Sequence, residues 1–437
     1  MKTKIELKRK IYDRLVEWKN SGSEKALLLK GARQVGKTTI VRKFGNEYYT
    51  HFIEINFEQT PLAKQAFSEN LDAKSIIINL SAMGYGPFEK GKTLIFFDEI
   101  QSCPQARTAI KFLIEDGSFD YIESGSLLGI NYAEVSSFPV GYEQQIDMYP
   151  LDFEEFLWAS GVSNAVIDQL KFAYQKIQRI PDFLHNQIML HFRKYLIVGG
   201  MPEVVNCFIL NGDINKVKQI QTNILGGYRN DIAKYTGKDK ILAKKVFDSI
   251  PEQLCKKDKR FVLADIEKGA SQRKYNDATL WLVDAGICYF SYNVNSLELP
   301  LSFSEKRNLY KLFMLDTGLL CNLSLPSIQF EVLNGSIGIN EGALTENFVA
   351  SEMIKREKPL YYYDKKSKQE LDFVFADQNK TSIIEVKSGK EYKRHASLNT
   401  AIASHGNLIG RAMVLSQFNI EYENSIIYYP LYMTMFL

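Results

Sequence analysis

Two groups of residues, about 330 positions apart, are of types that do chemistry. The first is 31-GARQVGKT-38, which matches GxxxxGK[ST] in full and runs on into Thr39. Its glycines let backbone N–H groups converge on phosphate oxygens, and a helix opening there adds its positive end. Gly31, Ala32, Arg33, Gln34, Val35, Gly36 and Thr39 would line that cradle, Lys37 would reach the β- and γ-phosphates, and Thr38 would hold Mg2+. The expected ligands are a nucleoside triphosphate and Mg2+. An apolar run, 94-LIFFDEI-100, ends in two acids. At the carboxyl end of a strand, Asp98 would complete the metal shell through water, and Glu99 would polarise the attacking water. The segment 124-SGS-126 closes another strand, where the Ser124 hydroxyl would sense the γ-phosphate.

The second group lies in 371-LDFVFADQNKTSIIEVKSGK-390. With a turn centred on Gln378-Asn379, facing residues sum to 757, so Asp372 opposes Glu385 and Glu370 opposes Lys387. Alternation then puts these four on one face and Leu371, Phe373, Ile384 and Val386 on the other. Carboxylates set directly across a ladder repel unless something positive separates them. The expected occupant is Mg2+ held by Asp372 and Glu385, with Lys387 orienting or deprotonating a metal-bound water. The competing reading is a solvated face with a Glu370–Lys387 pair.

The elements that must position these residues follow from periodicity. Strands at 26–30, 52–57, 94–98, 120–124 and 145–149 alternate with helical segments, which predicts a parallel sheet covered on both faces. From about 160 to 250 the pattern is mostly helical. Between 252 and 316 the order is helix, short extended piece, helix, a longer helix from Ser271, a strand, and 309-LYKLFMLD-316 pairing back. That order predicts a winged helix-turn-helix. Residues 336–437 read as helix, strand, hairpin, helix and two strands. The fold class expected is α/β in three domains, 1–160, 161–335 and 336–437.

Seven basic residues (Lys256, Lys257, Lys259, Arg260, Lys268, Arg273, Lys274) stand against three acidic ones between 256 and 274. At the opening of a recognition helix they would contact DNA phosphates; a docking surface for a protein and a solvated helical face are the alternatives. The net charge of +3 announces no global nucleic-acid field, so any such surface is local. Five scattered cysteines without a CxxC pair fit a reducing interior. The charged N-terminus and the lack of a long apolar window point to a cytoplasmic chain with no membrane partner.

These residues resemble the AAA-type branch of P-loop ATPases, and in more detail a prokaryotic family of such ATPases with an uncharacterised C-terminal region. The resembling pieces are 31-GARQVGKTT-39, 94-LIFFDEI-100, 149-YPLDFEEFL-157, 195-YLIVGGMPEVV-205, 311-KLFMLDTGLL-320 and 341-EGALTENFVASEM-353. One departure stands out: Tyr142 follows a glycine where relatives commonly carry a basic residue. If that residue serves the phosphates, the arginine-finger role falls elsewhere, with Arg107 and Arg229 as candidates, or is absent. The C-terminal hairpin is similar to PD-(D/E)XK nucleases. Carried over, Asp372 and Glu385 match the metal ligands, Lys387 the catalytic lysine, and Glu346 the acid on the first helix. The family resemblance implies ATP binding. The expected function is a DNA-processing enzyme with ATP turnover at the N-terminal site and Mg2+-dependent strand cleavage at the C-terminal one. The alternative is an ATP-gated switch that docks on DNA or a protein without cutting. Either fits an oligomer.

Overall fold

The computed structural model describes residues 5–22, 24–125, 139–234, 239–256, 258–324, 341–365 and 369–437. The chain divides into two compact units, Lys8–Tyr149 with Asp284–Gly286, and Met1–Leu7 with Pro150–Val283 and Ile287–Leu437.

In the first unit, β1 (Ala26–Lys30), β2 (His51–Asn56), β3 (Thr93–Asp98), β4 (Asp120–Gly125) and β5 (Glu143–Asp147) form a parallel sheet in the order β2-β3-β4-β1-β5. Because β3 lies inside that sheet it is buried at every position, and its sequence reads as an apolar run rather than an alternation. The helices are α1 (Ile11–Asn20), α2 (Lys37–Tyr48), α3 (Ala73–Ala82) and α4 (Pro104–Asp116). Ile53, Ile55, Ile95, Phe97 and Tyr121 pack with Ile76 and Leu80 of α3 and Ile110 and Leu113 of α4. The crossover matters for the site. Inserting β4 between β1 and β3 pairs Ser124 with Leu29 and places it beside the end of β3.

The second unit begins with helices α5 (Phe153–Ala159), α6 (Asn164–Lys176), α7 (Asp182–Val198), α8 (Pro202–Asn211) and α9 (Ile214–Lys234). A capping box between Asp152 and Glu155 starts α5. Next come α10 (Asp239–Cys255), α11 (Leu263–Ile266), α12 (Gln272–Asp284), β6 (Cys288–Val294), β7 (Glu305–Met314) and α13 (Thr317–Ser324). Three helices and a ribbon thus occur in the expected order, but the ribbon is no free wing. Strand β6 also pairs in parallel with β8 (Tyr361–Asp364), which follows α14 (Glu341–Lys355). The sheet continues through β9 (Glu370–Asp377), β10 (Lys380–Val386), β11 (Ile409–Ser416), β12 (Glu421–Glu423) and β13 (Ile426–Pro430), with α15 (Ala396–His405) between β10 and β11. Its order is β12-β13-β11-β10-β9-β8-β6-β7. The segments expected as separate domains, 161–335 and 336–437, therefore share one eight-stranded mixed sheet and one compact unit.

The hairpin has the expected register over Phe373–Asp377 and Lys380–Ile384, and its paired residues stop short of Asp372 and Glu385. Lys380 faces Asp377 and Ile384 faces Phe373, with Gln378 at φ 55° in the turn. Among the described residues no helix is long and apolar enough to cross a membrane.

Candidate functional site

The phosphate loop bridges β1 and α2. Gly31, Gln34 and Gly36 have φ of 150°, 67° and 101°, a run of positive values that turns backbone N–H groups inward. Gly31 also has no room for a side chain, since a Cβ there would lie 2.2 Å from the Met148 carbonyl oxygen. The Lys37 ammonium spans the loop, donating to the carbonyls of Gly31 at 2.8 Å and Ala32 at 2.9 Å. Burial pulls its pKa down to about 8, against the opposing charges of Glu99 and Asp98.

Around Asp98 the expected residues come together. Its carboxylate accepts from Thr38 Oγ1 at 3.1 Å and from the Ser124 hydroxyl. Asn56, at the end of β2, donates to the same carboxylate at 2.9 Å. Sequence reasoning missed Asn56; the signal was a polar residue closing the strand beside β3. Glu99 sits at φ 55°, and its carboxylate accepts from Gln101 Nε2. Burial raises the Glu99 pKa, and the Asp98 charge adds to that, while Gln101 and Lys37 oppose it. A carboxylate made more basic in this way is a better proton acceptor. Arg9 was also missed: its guanidinium donates to the carbonyls of Val35 at 3.1 Å and Tyr149 at 2.6 Å, fixing the loop from behind. The cradle, the lysine and the Thr38–Asp98 pair fit a Mg2+-bound nucleoside triphosphate. Bound Mg2+ would neutralise phosphate charge between Thr38 and Asp98.

The C-terminal charges also converge, though with different partners from those expected. Lys387 pairs with Glu385 at 2.7 Å, not with Glu370. Glu370 is 2.8 Å from Lys311 of β7, whose side chain is 0% exposed. Lys311 Nζ is also 3.9 Å from Asp372 and 3.9 Å from Glu346. Lys259 pairs with Glu346, and the Val386 N–H donates to Asp372 Oδ2 at 2.8 Å. Burial raises the Glu385 pKa to about 7, with the Asp372 charge adding and Lys387 opposing. Burial and then Asp372 likewise raise Glu346. Burial alone would lower Lys311, but Glu346, Asp372 and Glu370 outweigh it and hold the ammonium above its ordinary value. The cation between these carboxylates is thus a lysine. The expected Mg2+ ligands Asp372 and Glu385 already have partners, and no group of three or more His, Cys, Asp or Glu among the described residues is arranged for a metal. The solvated alternative fits only part of the face: the Glu370 side chain is 38% exposed, but Glu385 is 9% exposed and the expected Glu370–Lys387 pair is replaced by Glu385–Lys387.

In the basic stretch, Lys256 pairs with Glu252 and Asp265, Arg260 with Asp258, and Lys274 with Glu267. Lys257 lies outside the described residues. Lys268 and Arg273 are exposed and, among the described residues, make no ion pair. Across from them, β7 exposes Lys306 and Arg307, and the preceding turn exposes Phe303. Gln272 Nε2 joins the first turn of α12 to the Arg307 carbonyl at 3.4 Å.

Residues 23–157 match the family model described as AAA domain. The first unit carries an AAA domain of the P-loop ATPase type. Residues 189–329 and 341–433 match two models each described as a domain of unknown function, DUF8612 and DUF4143. No curated protein matches the chain by sequence. Among solved structures, the chain is similar to the Walker-type ATPase PABY2304 of Pyrococcus abyssi, at 14% identity and TM-score 0.45, over 73% of this chain and 96% of that one. It is also similar to the Aeropyrum pernix ORC1 protein in complex with DNA, at 14% identity and TM-score 0.32, over 74% of this chain and 93% of that one.

Within the ATPase domain the arginine-finger candidates resolve differently. Arg107 is 3% exposed and held by Glu123 at 3.0 Å and Glu143 at 2.9 Å. Arg229 belongs to the other unit and pairs with Asp248 at 2.8 Å. Tyr142 stands at the opposite end of β1 from the phosphate loop. Its carbonyl accepts from the Ala26 N–H at the start of β1, whereas the loop leaves β1 after Lys30.

Proposed function

We propose that this chain is an ATP-hydrolysing switch that acts on duplex DNA without cutting it. The observation that carries the nucleotide half is the convergence of Lys37, Thr38, Asp98, Glu99 and Ser124 at the carboxyl ends of three neighbouring parallel strands. Ligands bind in that crevice in sheets of this kind. Lys37 would exchange its two carbonyl partners for phosphate oxygens. Thr38 and Asp98 would orient the metal shell, Glu99 would take a proton from the attacking water, and Ser124 would report on the γ-phosphate through Asp98. Release of Glu99 from Gln101 would precede that step.

The DNA half is favoured by the exposed cations Lys268, Arg273 and Lys306 around the α12–β7 junction, where Arg307 is engaged by Glu305 at 2.9 Å. Phosphate contacts from such a surface supply affinity that does not depend on sequence. Strand cleavage is not part of the proposal, because ammonium groups already engage the nuclease-like carboxylates.

The test compares two substitutions. Lys37→Ala removes the charge that meets the phosphates, so ATP binding and turnover both fall. Glu99→Gln keeps shape and loses the base, so ATP binds and persists while turnover drops by roughly 100-fold or more. Equal loss of ATP affinity in both variants would contradict the roles given to these residues.

A further inference from the structure

Asp372 and Glu385, with Glu346, resemble a metal site in sequence, and the structure supplies them and Glu370 with a different counter-ion. Lys311 reaches the cluster from β7, a strand that sequence spacing gives no reason to connect with the hairpin. Its side chain is fully buried, its Nζ is 2.8 Å from Glu370 and 3.9 Å from both Asp372 and Glu346, and it lies 5.0 Å from the centroid of the Tyr362 ring. An aromatic face is a further site of attraction for an ammonium. A buried ammonium without counter-charges is costly, so this placement requires the carboxylates as much as they require it.

Asp372 Oδ2 is taken by the Val386 N–H and Oδ1 faces Lys311. Glu346 Oε1 is taken by Lys259, and Oε2, 3.9 Å from Lys311 Nζ, is a buried oxygen with no hydrogen-bond partner. Glu385 Oε1 is taken by Lys387, which leaves Oε2 as a buried oxygen with no hydrogen-bond partner. A divalent cation needs several oxygen ligands in one shell, and the remaining oxygens of Glu346, Asp372 and Glu385 lie beside three ammonium groups, whose like charge opposes a further cation.

We infer that the Lys311 ammonium takes the place of a divalent cation in this cluster, joining β7 to β9 and α14 and making the nuclease-like face independent of metal. The four carboxylates then serve as an ionic clasp inside the sheet. Lys259 and Lys387 balance its two ends. The inference does not depend on the nucleotide site, so it can fail while the ATPase reading stands.

The experiment follows thermal unfolding of the full chain in a Lys37→Ala background without nucleotide, which keeps metal from acting through bound nucleotide. The parent is expected to melt at the same temperature in EDTA and in millimolar Mn2+. Lys311→Arg, which keeps the charge, is expected to stay indifferent to metal. Lys311→Met is expected to melt several degrees lower and to regain part of that loss in Mn2+, because the carboxylates then lack a cation. If Lys311→Met does not yield folded protein, adding Asp372→Asn to it is expected to restore folding by removing one uncompensated charge. An Mn2+ shift in the parent that Asp372→Asn abolishes would overturn the inference. So would a Lys311→Met protein that Mn2+ leaves unchanged, or one that Asp372→Asn fails to recover.

Discussion

Asp316 Oδ2 accepts the backbone N–H of Gly200 at 2.6 Å, and its other oxygen accepts that of Leu319 at 2.9 Å. The carboxylate is buried, and burial raises its pKa against the pull of these backbone donors. The glycines around it are forced. A Cβ on Gly199, where φ is 71°, would lie 2.1 Å from Asp316 Oδ1, and one on Gly318 would lie 2.5 Å from the Val198 carbonyl.

Asp316→Ala is therefore expected to leave two buried N–H groups without acceptors, at about 1–3 kcal/mol each. Gly318→Ala meets backbone that cannot step aside and is expected to cost at least as much as ordinary overpacking, about 1–3 kcal/mol. Urea unfolding of both variants checks this. Wild-type midpoints would mean that the contact is incidental.

Arg107 should behave as a structural cation of the ATPase domain. Its partners Glu123 and Glu143 are also shielded, and burial pushes Glu123 up to about 8 despite Arg107, with Glu143 adding to the rise. Removing one member of a buried ionic group costs about 3–5 kcal/mol, so Arg107→Ala should lower the urea midpoint sharply. ATP turnover per folded molecule should be little changed. An arginine finger would give the reverse, normal stability with lost turnover.

The phosphate loop was legible because its backbone dictates residue types: Gly31 abuts Met148, and Gly36 holds φ at 101°. The hairpin was legible because a two-residue turn and period-2 alternation fix register without tertiary information. Lys311 was not, because its partners come from β9 and α14, and no local pattern encodes a contact between a strand at 305–314 and one at 370–377. The shared sheet was hidden for the same reason, since β6 meets β8 across about 70 residues. The resembling sequence blocks also acquire a physical meaning. Leu151 accepts from Tyr195 and Lys355, Phe153 donates to Glu352, and Asn347 bonds both backbone groups of Met314. Four blocks scattered between 149 and 353 thus meet in one buried polar network of the second unit. Their residue types reflect backbone satisfaction more than catalysis.

Acid should weaken the second unit through His185. Its Nε2 faces the Gln417 carbonyl at 3.2 Å and its Nδ1 faces the Tyr432 hydroxyl at 3.0 Å, an arrangement met by the neutral ring donating from Nε2. Burial lowers its pKa below the ordinary 6.5, against the Gln417 bond and Asp182. The unfolded chain then protonates first, so stability present above about pH 6.5 is lost as pH falls toward the folded value. Glu385, raised to about 7, contributes with the opposite sign over part of this range. The difference between wild type and His185→Gln isolates the histidine. The wild type should lose more stability than the variant between pH 7 and pH 5.5, as read by urea midpoints. Parallel pH profiles would assign the loss to other groups.

The DNA-facing residues should be those left unpaired, not the whole basic stretch. Arg260 and Lys274 are engaged by Asp258 and Glu267, so replacing them breaks internal pairs before it removes any cation from a phosphate. Lys268, Arg273 and Lys306 are exposed and keep their charge for an outside partner. Replacing these three by alanine should weaken binding to unrelated duplexes alike, because phosphate contacts carry no sequence information. It should also flatten the log–log salt dependence by about 0.9 for each phosphate that is no longer neutralised. Arg260→Ala with Lys274→Ala should change the slope less while lowering thermal stability. If the triple variant kept the wild-type slope and affinity, the α12–β7 surface would not be a nucleic-acid face, and the switch would have to act through a protein partner instead.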